Sequence, residues 1–274
     1  MGRARLDNAE TQLFTDHDSI GHLARSGGVL SCALAAARDA AMPGATPKIL
    51  SGIVDGIIRE QGGIPVLLGL RAAGVSGFPA AAAVCVNKIA VNGVPDDREL
   101  QVGDVVTLDS ACEYEGFVTD AAVSVVIGDG GSDLVAAGRS VLAAAVDSIR
   151  PGLPLSVISA AALERAGLLG FDVADEAVVH GVGGSLHTLP AVFWNRVEPD
   201  DNEMIRSGMV LAIEPVVVER LGSHPGRIRQ CQTEPDGWSR RATARAAFEE
   251  RTVVVMGDGC RVLTPIPPSG PLGA

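Results

Sequence analysis

Aromatic residues are scarce in this chain: six Phe, one Tyr and two Trp in 274 residues. Rings carry the largest packing area per side chain, so a core without them has to be assembled from Ala, Val, Leu and Ile. Positive charge is also short. There are 22 Lys and Arg against 33 Asp and Glu, a formal net charge of -11, which argues against nucleic acid or an anionic membrane surface as partner. The five cysteines, Cys32, Cys85, Cys112, Cys231 and Cys260, are odd in number and scattered, with no CxxC. That pattern fits buried free thiols in a reducing compartment better than a disulfide framework or a zinc knuckle. No apolar run reaches the roughly 18 residues that span a bilayer. The opening MGRARLDNAETQLF lacks the apolar stretch of a secretory signal. A cytoplasmic monomer that binds neither nucleic acid nor membrane is expected.

What the chain does have is hydrophobic content, 47% of residues, and length for one large domain or two small ones. Residues 1–17 are polar and expected to be loose. A helical pattern follows Asp18, a suitable N-cap, and runs through SIGHLARSGGVLSCALAAARDAAM to the breaker Pro43-Gly44. TPKILSGIVDGIIREQGG reads as a second helix, with Thr46 as N-cap and Pro47 at its first position. Strand signals come next in AAAAVCVNKIAV and in DVVTLDSACEYEGFVTDAAVSVVIG, the latter a hairpin turning near Glu113–Gly116. The second half repeats this order. SDLVAAGRSVLAAAVDSIRPG and LPLSVISAAALERAGLL read as helices, and EAVVHGVGG, MVLAIEPVVV and ERTVVVM read as strands. The junctions MPGATPKIL and RPGLPLSVI are alike. Two helix–helix–sheet halves in tandem suggest a pseudo-symmetric α+β domain over 18–264. A Pro/Gly-rich tail at 265–274 is expected to be disordered.

Acids are poor strand residues and costly to bury unless paired or metal-bound. Yet Asp109 and Asp120 sit in the two arms of the hairpin, and a hairpin can bring both to one sheet face. His180, Glu214 and Glu250 lie in or beside apolar runs of the second half. Each alone could be satisfied by a hydrogen bond or an arginine. Together they form a set of hard oxygen ligands plus one imidazole, which divalent ions would neutralise at once.

The order Asp109, Asp120, His180, Glu214, Glu250 resembles the five-ligand set of the methionine aminopeptidases. The flanks GFPAAAAVCVN, VNGVPDD, LQVGDVVTLD, EGFVTDAA, VVHGVGGSLHTLP, GMVLAIEPVV and DGWSRRATARAAFEERTVVV agree, over about Asp18 to Thr264. The short form without zinc-finger-like extension or helical insert is similar to the type I, bacterial-style enzymes. The resemblance implies the two-metal pita-bread fold and two divalent ions, Mn, Fe, Co or Zn, that activate a water and polarise a scissile carbonyl. It further implies that Asp109 chelates one ion, that Asp120 and Glu250 bridge both, and that His180 and Glu214 complete the other site. Glu214 would also be the general base, and His187 would donate to the substrate carbonyl.

The chain departs from that family at four places. The motif V-x-H-G-I-P-D reads AVNGVPD here, so Asn92 stands where a catalytic histidine is expected. An amide can make hydrogen bonds but cannot move a proton. Arg251 follows the last ligand glutamate, where the family has His. The pocket for the first side chain maps to Val75, Phe78, Ala83, Leu186 and Trp238, with fewer rings and no thiol. Ser110-Ala111 replaces a polar residue after the first ligand. Three readings stay open. The first is a metallo-aminopeptidase that removes N-terminal methionine or a related residue. The second is a divergent paralogue acting on a different small amide or peptide intermediate. The third, a non-catalytic binder of peptide N-termini, is disfavoured because a binder has no need of two activating metals.

Overall fold

A computed structural model describes residues 11–72, 74–128, 130–175, 178–193, 203–222 and 226–267. Helix α1 is His17–Asp39 and α2 is Pro47–Glu60. Helix α3 is Asp133–Asp147 and α4 is Ser156–Leu169. The cap of α1 is Asp16 and not Asp18: Asp16 Oδ1 accepts from Ser19 N at 2.7 Å, the reach of an N-cap side chain, while Asp18 stands inside the first turn. The helix also stops at Asp39, short of Met42. Thr46 caps α2 and Pro47 opens it, as the sequence suggests.

The hairpin forms from Val105–Tyr114 and Phe117–Val126. Its turn is Glu115-Gly116, both at positive φ (50° and 85°), the two-residue geometry whose twist matches paired strands. AAAAVCVNKIAV splits at Asn87, which has φ 55°, into Ala83–Val86 and Ile89–Val91. The hairpin lies at the heart of a nine-stranded antiparallel sheet. Its order is Ile64–Pro65, the two hairpin arms, Glu250–Val255, Val210–Ile213, Val178–Gly181 and Thr188–Phe193. Ala83–Val86 pairs with the first arm, and Cys260–Val262 with the Glu250 strand.

The two halves are built alike down to their backbone bonds. Gly44 and Gly152 both take φ near +85°, a conformation that suits glycine. Gly44 N donates to Leu100 O, and Leu100 N returns a bond to Ala45 O. Gly152 N donates to Ile205 O, and Ile205 N returns one to Leu153 O. Gly103 and Gly208 then turn the chain at φ 91° and 88° into a strand of the main sheet. Asp109 and Glu214 lie at the same distance beyond these junctions, so the repeat makes them counterparts. One apolar core packs α1 and α2 on the hairpin. A second packs α3 and α4 on Ala246–Phe248 and its neighbours.

Residues 11–16 are not loose. Phe14 N donates to Gly208 O at 2.7 Å, Leu13 bridges to Met209, and Gln12 Oε1 accepts from Gly184 N. At the other end, Ile266 packs on the first core and the buried Arg38 donates to Pro267 O. Residues 1–10 and 268–274 lie outside the described residues. All five cysteines are free thiols, and among the described residues no helix is long and apolar enough to cross a membrane.

Where α1 crosses the end of the sheet the approach is close. A Cβ on Gly27 would lie 2.1 Å from Leu263 O, a backbone atom held in place by the bond from Leu263 N to Thr252 O. Gly28, one residue on, faces open space. Alanine in a helix interior gains up to about 1 kcal/mol over glycine, whereas overpacking costs about 1–3 kcal/mol. G28A should therefore raise the urea midpoint and G27A should lower it. Equal shifts of the same sign would show that α1 can move away from the sheet freely.

Candidate metal centre

Strand register puts the acids on one face. Asp109 pairs with Ala122, and Asp120 with Ala111, so the two carboxylates are diagonal neighbours on the same side of the hairpin. Glu250 pairs with Ala122 from the other side. Arg251 pairs with Ile213, which brings the next residue, Glu214, level with Glu250. One row thus runs Asp109, Ala122, Glu250, Glu214. A second runs from Ala111 and Asp120 through Thr252 and Ala212 to His180. Thr252, which the sequence reading missed, holds the second row together. Its hydroxyl accepts from Asp120 N at 2.9 Å and donates to Asp120 O at 2.7 Å.

The side chains directly across from these groups are small. Ala83 and Ala122 flank Asp109, Ala191 and Ala212 flank His180, and Ala111 faces Asp120. The acids and the imidazole accordingly converge. One ligand atom each of Asp120, His180 and Glu250 lies within 4.8 Å of the others. His180 Nε2 is 3.8 Å from Asp120 Oδ2 and 3.7 Å from Glu214 Oε1. His187 lies beside His180, ring centroids 4.7 Å apart at 61°.

Burial governs the charges. It lifts the Asp109 carboxyl to about 7. It also holds Asp120 well above the usual carboxylate range, with Asp109 adding to the rise. Glu250 is raised likewise, by burial first and then by Asp120, Glu214 and Asp109. Burial pushes His180 down to about 3, with His187 contributing, and lowers His187 as well. The imidazoles are therefore neutral, and the His180 contacts are not ion pairs. Asp120 Oδ1 and Glu250 Oε1 are buried without a hydrogen-bond partner. Orphaned buried oxygens among crowded carboxyls must take up either protons or a cation, and a set of carboxylates with one neutral imidazole suits a first-row divalent ion. The residues fit the implied metals.

The other expected positions divide. Phe78, Ala83, Leu186 and Trp238 join one apolar cluster that also contains Ala111 and Ala212, so it borders the acids. Phe78 and Trp238 meet edge to face at 5.3 Å, and Trp238 Nε1 donates to Ser76 O. Val75 stands outside that cluster, against Gly237. Leu67 and Val182, which belong to it, escaped the sequence reading. Asn92 sits at φ 55° in a turn strapped to Ala83–Val86, with Val84 N donating to Gly93 O and Gly93 N to Cys85 Sγ. Two positions face away from the acids. Ser110 alternates to the opposite face and donates to Ala81 O. Arg251 also does so, turning towards Glu249.

Comparison with known proteins decides the kinship. The model of the metallopeptidase family M24 matches residues 22–256. The chain belongs to that family. Methionine aminopeptidase 1 of Mycobacterium tuberculosis is 33% identical over 256 residues, 88% of this chain and 91% of that protein. The mitochondrial methionine aminopeptidase 1D of Dictyostelium discoideum is 29% identical over 252 residues, 90% of this chain but only 60% of that longer protein. The crystal structure of methionine aminopeptidase from Thermotoga maritima superposes with a TM-score of 0.83 and 30% identity, covering 93% of this chain and 99% of that one. The fold is the pita-bread fold of this M24 family.

The raised carboxyls set a pH signature. A carboxyl whose folded pKa lies above its unfolded value of about 4 stabilises the fold while protonated and loses that contribution as pH rises through the folded value. For Asp109 the loss runs from about 4, where the unfolded carboxyl ionises, to about 7, where the folded one does, and is complete above that. Divalent ions compete with those protons. The rise in Tm on adding Mn2+ to chelator-stripped protein should be small at about pH 5 and large at about pH 7.5. A pH-independent rise would count against these carboxyls as the site.

Proposed function

We propose that this M24 metallopeptidase is an aminopeptidase that removes an N-terminal residue, methionine or a related one, from peptides, with 18–264 as its catalytic domain. The observation that carries this reading is the pair of rows that gathers four carboxylates and one imidazole on a single sheet face beside an apolar cluster. Asp109, Asp120, His180, Glu214 and Glu250 would hold two divalent ions, with Asp120 and Glu250 shared between them. Bound ions would acidify a water and polarise the scissile carbonyl.

The remaining steps belong to the protein. The cluster of Phe78, Ala83, Leu186 and Trp238, with Val75 at its margin, receives the first side chain. Glu214, at 19% exposure the most accessible of the acids around His180, takes the proton from the water as general base. His187, neutral and beside His180, donates to the carbonyl oxygen as charge grows on it. Asn92 contributes an amide to the scissile peptide. The protein would act as a cytoplasmic monomer on peptide substrates.

Asp120→Ala or Glu250→Ala should abolish binding of both ions, whereas Asp109→Ala should mainly weaken one. Calorimetric titration with Co2+ checks the stoichiometry, and full occupancy in the Asp120 or Glu250 variant would sink the shared-ligand assignment.

A second reading, a paralogue acting on a different small amide or peptide, draws support from Asn92 and from the ring-poor pocket. Loss of a proton-moving group typically costs about 10²–10⁴-fold in rate, so weak cleavage of methionyl peptides is expected. Histidine, like asparagine, is among the side chains enriched at the positive φ of position 92, so Asn92→His should fold and keep its metals. It should raise methionyl-peptide hydrolysis by about tenfold or more, roughly 1.4 kcal/mol of barrier. A folded, metal-loaded variant with no gain would favour the second reading.

A further inference from the structure

Glu250 has a positional problem. Its carboxylate is buried and one oxygen has no partner, so nothing polar that is bound to that oxygen fixes the side chain. Its backbone is also the first of its strand. The chain runs through Ala246–Phe248 in the four-stranded sheet, crosses at Glu249, and enters the nine-stranded sheet at Glu250. A residue at such a crossing has sheet pairing on its downstream side only.

Arg251 supplies the missing hold from behind the sheet. Its Nη1 donates to Glu250 O at 2.7 Å and to Ala122 O at 2.8 Å, and its Nη2 donates to Glu249 Oε2 at 3.2 Å. Ala122 is the residue paired with both Glu250 and Asp109. The guanidinium therefore ties the backbone at the centre of the carboxylate row across two strands. Glu249, 2% exposed in its side chain, anchors the fork in turn. Its other oxygen takes Arg139 Nε at 3.2 Å and Ser124 N at 3.3 Å. A planar fork with several donors can span two carbonyls and a carboxylate, whereas an ammonium on a flexible stem cannot hold all three in one geometry.

We infer that Arg251, braced by Glu249 and Arg139, is a positioning residue that sets Glu250 for metal binding, acting through the Glu250 and Ala122 carbonyls from the opposite face of the sheet. The inference rests on the reading of Glu250 as a ligand. Partners behind a ligand typically change metal affinity by about 10–100-fold when removed.

The test is titration of chelator-stripped wild type, R251M and R251K with Co2+, following heat and the visible absorption of the bound ion, at temperatures where circular dichroism shows each variant folded. Methionine keeps the apolar stem but no donor, and lysine keeps the charge but not the fork. R251M should bind about tenfold or more weakly with an altered Co2+ spectrum, and R251K should fall between it and wild type. A merely structural role would lower the metal-free Tm and leave affinity and spectrum alone. Wild-type affinity and spectrum in R251M would overturn the inference. Should R251M not fold, the same result in R251K would overturn it. Failure of the wild type itself to bind Co2+ would sink the ligand reading along with the inference.

Discussion

Crowding of carboxylates in a dry interior is the constraint on which the rest of this structure turns. Asp109, Asp120 and Glu250 share one sheet face with a neutral imidazole; beyond the effect of burial, Asp109 raises the proton affinity of Asp120, and both raise that of Glu250. Ionised groups so placed cost several kcal/mol apiece unless neutralised. Protons can do this at low pH and divalent ions at neutral pH. The alternation of the strands, the Thr252 hydroxyl bound twice to the Asp120 backbone, and the unpartnered oxygens are consistent with a face shaped around a cation.

Both glutamates stand where the chain leaves one sheet for another. Val210–Ile213 belongs to the large sheet and Val216–Val218 to the four-stranded one, with Glu214-Pro215 between them. The crossing at Glu249 sets Glu250 in the same way. At Glu214 the crossing takes the backbone out of the ladder, whereas Glu250 is the first paired residue after its crossing, so each has less ladder support than a residue in mid-strand. The aspartates have that support, because they lie within long paired arms.

How much of this the sequence discloses depends on the range of the interaction. Asp109 and Asp120 could be placed on one face because a strand alternates with period two and the turn lies between them. The tandem halves were legible from MPG and RPG, whose glycines indeed adopt matching φ. The cap of α1 was misassigned because Asp16 and Asp18 look alike until the entry of the backbone is known. Arg251 could be read only as a departure from the family's pattern; alternation along its strand sends it to the face opposite Glu250, towards Glu249. Loop residues were hardest. The turn after Asn92 is fixed by contacts such as Val94 N to Ser239 Oγ, far away in the chain, and no local pattern encodes them.

The alanines beside the acids carry a consequence that chemistry alone would not suggest. Ala83, Ala111, Ala122, Ala191 and Ala212 bind nothing, and each stands directly across from a carboxylate or the imidazole. The chamber is thus defined by subtraction, as a mould is defined by what is carved away. A single extra methyl group at Ala122 would intrude between two acids and compete for volume with whatever neutralises them. Substitutions at these inert positions should then disturb the site as directly as substitutions at the reactive ones.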